Sequence, residues 1–161
     1  MAVLQVGRGL SEYLAQLENL EHRADGMAGQ AIWEGAKVVA DQVKQNLEAL
    51  PADEPKPAYQ KTEGRRNPTP EEKQGLIDGW GISRKETRSG YINIKTGFSG
   101  TNANGTKNAS VAMRFEAGNE YCRRLAPVSS AIRQSKGAAE AAMKAKIEEL
   151  LQKEVNSNGE W

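Results

Sequence analysis

The sequence predicts an α+β fold: N-terminal helices, an antiparallel β-meander of three or more strands, and a long C-terminal helix. Three observations carry this reading. Apolar residues recur at three- and four-residue steps through the first fifty positions. The period changes to two over 80–94 and again over 110–118, and helical spacing resumes after Pro127. With 161 residues, one domain spanning 1–161 is expected.

Taken in order, Leu10, Leu14 and Leu17 open the first helix, with Ser11 placed to cap it. Gly26 and Gly29 weaken helix continuation and predict an interruption. A second stripe, Ile32, Ala36, Val39, Val43, Leu47 and Leu50, then runs to Pro51, with Trp33 and Val38 beside it. Five of the six prolines and few aliphatic residues fall in the following stretch, so a mobile loop is expected at 51–75. Trp80, Ile82 and Arg84 alternate, "RSG" makes a turn at Gly90, and Tyr91 to Ile94 alternate again: a β-hairpin. A polar Gly/Asn-rich loop follows at 99–109. "SVAMRFEAG" then predicts a third strand, with Val111, Met113 and Phe115 on one face. After Pro127 the alanine-rich segment reads as a helix, with Met143, Ile147, Leu150 or Leu151, and Val155 on its apolar side. The stripes of the two long helices are expected to pack together against the sheet.

Lysine and arginine exceed aspartate and glutamate by one, and mean hydropathy is -0.68. Such a balance offers no general excess of positive charge for phosphate binding. No apolar run is long enough to span a bilayer, and the N-terminus lacks the pattern of a signal peptide, so a soluble, cytosolically made protein is expected. A single cysteine permits no intrachain disulfide.

Chemistry finds little footing. His22, the sole histidine, lies between Glu21 and Arg23 and reads as an exposed helix residue, not as a partner for a nucleophile. Cys122 precedes Arg123 and Arg124, which favour a thiolate, although a lone cysteine is more often a small packed hydrophobe. One cysteine and one histidine cannot make the usual zinc sets, and no phosphate-binding glycine loop is complete. The expectation is a non-enzyme with no cofactor and no metal.

The stretch "AMRFEAGNEYCRRLAPVSSAI" supplies candidate interface or turn residues. Gly118 lets the chain leave a strand, Pro127 starts a helix, and Glu116 faces Arg123 and Arg124 across the turn. That trio is read as a charge clasp or intersubunit contact, against the alternative of a solvated turn. Lys61, Arg65 and Arg66 form a candidate docking loop. Together with "GLIDGWGI" at 75–82, read as entering a first strand, and the "GAKVVADQVKQNL" helix, this order of pieces resembles the neck or tail-completion proteins of long-tailed phages, also described as minor tail components. The resemblance rests on Phe115, Glu116, Gly118, Arg123, Arg124 and Pro127, which look like the family's strand ending in an aromatic-x-Glu-x-Gly pattern and leading through a basic loop to a proline and the last helix. The family's usual Gly-Thr reads Gly118-Asn119 here, and Val128 stands where an aromatic is common.

The resemblance implies a structural virion protein that caps the tail tube and joins tail to head. It further implies a homo-oligomer or ring, contacts with a tail terminator and a head connector, and synthesis in a bacterial host's cytoplasm. The alternative from another class is a small nucleic-acid-binding protein using Lys61, Arg65, Arg66, Arg84, Lys85 and Arg88.

Overall fold

The computed structural model describes residues 7–56 and 64–157, with side-chain surroundings from residue 21 onward. Two long helices dominate, α1 (Gly7–Glu48) and α4 (Pro127–Ser157). Between them lie α2 (Pro70–Gly79), strands β1 (Trp80–Ile82), β2 (Glu86–Arg88), β3 (Tyr91–Asn93) and β4 (Thr96–Phe98), and α3 (Asn108–Ala117). At 1.5 Å per residue, α1 is about 63 Å long.

α1 and α4 run antiparallel. Asn46 donates to the Pro127 carbonyl at 3.0 Å, Gly35 faces Met143, and Arg23 pairs with Glu154 at 2.8 Å. The predicted break at Gly26 and Gly29 does not occur, and α1 is continuous. Gly29 is a notch for another chain segment: a Cβ there would lie 2.7 Å from Lys85 Cδ, so the absent side chain admits the lysine stem of the hairpin. The cost of a glycine in a helix, about 1 kcal/mol, is small beside the packing of a long helix pair.

The core sits at the C-terminal end of α1. Val43, Leu47 and Leu50 meet Leu76 of α2, Val111, Ala112 and Phe115 of α3, Cys122, and Ala131 of α4. Phe115 is the largest side chain with no exposed surface. Trp80 closes one side, its Nε1 donating to the Ala40 carbonyl at 3.0 Å and its ring tilted against Phe98 with centroids 4.9 Å apart.

The strands form one long hairpin interrupted in the middle. β1 pairs with β4 (Trp80 opposite Phe98) and β2 with β3 (Arg88 opposite Tyr91), both antiparallel. Ser83 and Lys95 bridge the interruption. The expected turn is present, with Ser89 at φ 52° and Gly90 at φ 79°, the paired left-handed residues that match a hairpin's twist.

The predicted third strand is a helix. Alternation of Val111, Met113 and Phe115 fits a strand, but Val111 and Phe115 are also one helical turn apart, and Ala112 lies on the same face. The structure buries Val111, Ala112 and Phe115 and leaves Met113 73 % exposed. The meander of three or more strands is therefore, among the described residues, two two-stranded pairs, of which β1–β4 packs on the core through Trp80 and Phe98. "GLIDGWGI" likewise divides, with 75–79 completing α2 and the strand starting only at Trp80.

The stretch expected as a mobile loop also carries structure. Pro68 is fully buried, and Thr69 caps α2 by accepting from the Glu72 N–H at 3.3 Å while the Glu72 carboxylate accepts from the Thr69 N–H at 3.0 Å. The 99–109 loop is tied from within, since Asn102 Oδ1 accepts from the backbone N–H groups of Asn104 and Thr106.

Candidate functional site

The predicted joint is built by α3 handing the chain to α4. Leu125 and Ala126 both donate their N–H to the Phe115 carbonyl, at 2.8 and 3.1 Å. Ala126 takes φ 47° and has no side chain able to cap a helix. Glu116 supplies the cap from a distance: its carboxylate accepts from the N–H of Val128 at 3.0 Å, the N–H of Ser129 at 2.9 Å, and the Ser129 hydroxyl. A carboxylate at the positive end of a helix, on free N–H groups, is well placed. Pro127 at the first helical position has no N–H to satisfy.

This geometry corrects the expected clasp. Glu116 faces the start of α4 and makes no ion pair with Arg123 or Arg124 among the described residues. A helix terminus offers several fixed donors, while either arginine would have to surrender hydration and side-chain freedom to reach the same carboxylate. Arg123 instead donates through Nε to the Arg65 carbonyl at 3.0 Å, and Arg124 packs its Cβ against Gly118. Both arginines remain exposed. Gly118, at φ 72°, sits where an added Cβ would meet Arg124 at 2.8 Å.

A strap over 64–72 locks this joint to α2. Arg66 and Cys122 pair as a short parallel bridge, with the Arg66 N–H on the Tyr121 carbonyl and the Arg123 N–H on the Arg66 carbonyl. Arg66 holds Glu72 with two hydrogen bonds, at 2.6 and 2.9 Å, and its guanidinium lies 5.5 Å from the Phe115 ring centroid. Arg114 approaches the same carboxylate at 3.8 Å. Burial pushes the Glu72 carboxyl up, yet the Arg66 guanidinium, the Thr69 N–H and the positive charge of Arg114 outweigh it and hold the group below the usual range. Asp53, accepting from the backbone N–H and the amide of Asn67, is also held low.

Of the candidate docking loop, Arg65 is exposed, Arg66 is committed to Glu72, and Lys61 lies outside the described residues. A guanidinium engaged by a buried carboxylate is not available to phosphate, which removes one anchor from the nucleic-acid reading. Arg84, Lys85 and Arg88 are exposed on the hairpin. Cys122 is 2 % exposed and belongs to the core, and His22 is exposed on α1. Among the described residues no group of three or more His, Cys, Asp or Glu side chains is arranged to hold a metal, and no helix is long and apolar enough to cross a membrane.

Sequence reasoning missed an apolar groove far from the joint. At the outer end of the helix pair, Ala24, Met27 and Ala28 of α1 and Ile147 and Leu151 of α4 line a cavity of about 360 Å³, rimmed by Arg23 and Glu154. Of the residues expected to pack with the α1 stripe, Leu150 is half-buried but Ile147 and Leu151 are 39 and 51 % exposed, and Val155 on the same side is 66 % exposed. The buried row of α4, Pro127, Ala131, Ser135 and Ala139, continues at the same four-residue spacing through Met143 to Ile147, Leu151 and Val155. A row at four-residue steps drifts by about 40° per step around a helix of 3.6 residues per turn, so its later members turn progressively away from the face that the earlier ones bury. That spacing is the signal that would have found the groove.

No family model, no curated protein and no solved structure matches this chain.

Proposed function

We propose that this chain is a structural assembly subunit of a long-tailed phage or prophage, of the neck or tail-completion type, working through protein interfaces and not through catalysis. The observation that carries the reading is the exposed apolar groove at the outer end of the α1/α4 pair, continued by Val155. Contiguous apolar surface with a polar rim is characteristic of contact with other chains. The order of residues from Phe115 to Pro127, which resembles the tail-completion family although 108–117 is a helix where the resemblance implies a strand, supplies the type of assembly. In this reading the groove joins copies of the chain into a homo-oligomer or ring. The exposed Arg123 and Arg124, beside the strap, meet the neighbouring neck proteins, a tail terminator or a head connector. The protein is then a virion component made in the bacterial cytoplasm, with no cofactor.

Light scattering on the purified protein tests the assembly. A mass several times that of one chain is expected, falling to one chain in Leu151→Asp, whose fold is retained because the side chain is already half exposed. Complementation of a phage lacking the gene tests the role. Arg123→Glu with Arg124→Glu is expected to fold and to fail in joining heads to tails. A chain that stays monomeric at every concentration, with full joining by both variants, defeats the reading.

A further inference from the structure

The bridge between the strap and the 118–124 turn has two unlike faces. Arg66 and Cys122 pair across it and send their side chains inward, one to Glu72 and the other into the core. Side chains alternate along extended chain, so Arg65 on the strap and Tyr121 and Arg123 on the turn fall on the outer face. All three are exposed, Tyr121 by 69 %. Arg123 is nevertheless fixed in place. Its N–H donates to the Arg66 carbonyl at 2.9 Å and its Nε to the Arg65 carbonyl at 3.0 Å, while its two Nη groups have no partner among the described residues.

The charges around this face do not cancel. Arg65, Arg123, Arg124 and Lys56 are exposed, and among the described residues none of them is in an ion pair. Against them stand Glu120, exposed in the turn, and Asp53, whose two oxygens are taken by the Asn67 N–H and amide at 2.8 and 3.1 Å. Those bonds, and behind them the charges of Arg123 and Lys56, hold the Asp53 carboxyl low, which places it within the field of Arg123.

A guanidinium anchored through Nε presents its Nη groups as a fork, the geometry that receives both oxygens of a carboxylate. Anchoring it beforehand removes part of the side-chain ordering that binding otherwise costs. Arginine and tyrosine are also the residue types that concentrate binding energy between proteins. Nucleic acid fits less well, because its affinity grows with the number of phosphates neutralised, and this small set of cations is interrupted by Asp53 and Glu120.

We propose that the outer face of this bridge receives a carboxylate from an acidic segment of a protein partner, with Arg123 as the forked donor, Arg65 as the second cation and the Tyr121 ring packed beside them. The proposal rests on the reading of the joint as a protein interface and names the chemistry of what binds there.

The test follows amide chemical shifts of the isotope-labelled full chain at constant ionic strength. The probes are a blocked Ala-Glu-Ala-Glu-Ala peptide, its glutamine counterpart, and a thymidine oligonucleotide of the same net charge as the first. Saturable shifts confined to 64–67 and 118–124 are expected with the glutamate peptide. The glutamine peptide should give none, and the oligonucleotide should bind more weakly. Arg123→Gln should weaken the glutamate peptide by about tenfold, the loss of one charge-assisted hydrogen bond. Arg123→Lys should weaken it nearly as much, since lysine keeps the charge and lacks the fork. Arg65→Gln, which removes no internal side-chain bond, should weaken it as well, and Arg88→Gln on the hairpin should not. Absence of saturable shifts, equal binding of the glutamine peptide, or binding of the oligonucleotide as tight as that of the glutamate peptide overturns the proposal. Parent affinity in Arg123→Lys or in Arg65→Gln overturns it equally. A joining defect in Arg123→Glu with Arg124→Glu, without peptide binding by the parent, defeats this site and leaves the interface reading. Peptide binding by the parent, with full joining by that double variant, defeats the interface reading and leaves the site.

Discussion

Gly118→Ala puts the joint between α3 and α4 under the most direct strain. Gly118 has φ 72° and ψ 162°, a region of backbone space open almost only to glycine. Holding alanine there costs about 1–3 kcal/mol. The new Cβ would lie 2.8 Å from Arg124 Cβ, 3.0 Å from Arg124 N and 3.1 Å from Arg124 Cα. None of these is the far end of a flexible side chain, so relief requires moving the 118–124 turn, at a further 1–3 kcal/mol or so. The turn resists, because the Gly118 N–H is bonded to the Arg114 carbonyl and Arg66 clips Cys122 from the other side. The stiffer unfolded chain returns about 0.4–1 kcal/mol. The net loss is about 1–5 kcal/mol and centres near 3, or a Tm lower by roughly 10 °C in a chain of this size. Urea and thermal melts followed by circular dichroism measure it. Two other glycines act as rulers. Gly90→Ala, at φ 79° with open space around it, should lose only the conformational part. Gly97→Ala, in open space without a positive φ, should stay within about 0.5 kcal/mol of the parent. Gly118→Ala melting with the parent, or Gly97→Ala proving as costly, would refute the reasoning.

Three further outcomes are expected. Phe115→Ala removes the largest fully buried side chain and should cost about 3–5 kcal/mol in urea unfolding. Glu72 titrates below its unfolded value, so its contribution is complete above that value, near pH 4.3, and is lost as pH falls through the lower folded pKa. Melts between about pH 6 and pH 2.5 should therefore show a steeper acid loss in the parent than in Glu72→Gln, which is itself less stable at neutral pH by about 2 kcal/mol. Gly137→Ala, on an exposed helical position with nothing within 4 Å of the new methyl, should raise stability by about 0.5–1 kcal/mol.

The local signals in this chain were sufficient where the chain's own covalent geometry decides. Proline at 127 starts α4 because its φ is preset, the Ser89-Gly90 pair makes the hairpin turn because both must be left-handed, and the stripe of Ile32, Ala36, Val39, Val43 and Leu47 is long enough to declare a helix. Tertiary structure decided the rest. In 110–118 the residues Val111, Ala112, Met113 and Phe115 satisfy a two-residue and a four-residue period alike, and only the core formed by Leu47, Leu76 and Ala131 selects the helix. Gly26 and Gly29 weaken α1 locally, but packing along α4 and the Lys85 stem carries the helix across them. The partner of Glu116 follows the same rule. Arg123 and Arg124 are near it in sequence, while the free N–H groups of Val128 and Ser129 are brought to it by the reversal at Ala126. Glu71 and Asn108 line one cleft from elements more than thirty residues apart, a juxtaposition that no spacing in the sequence encodes. Short-range sterics act within a few residues and can be read along the chain. Burial and hydrogen-bond satisfaction depend on which distant segments arrive, and these decided both the face α4 turns outward and the groups its neighbours leave open.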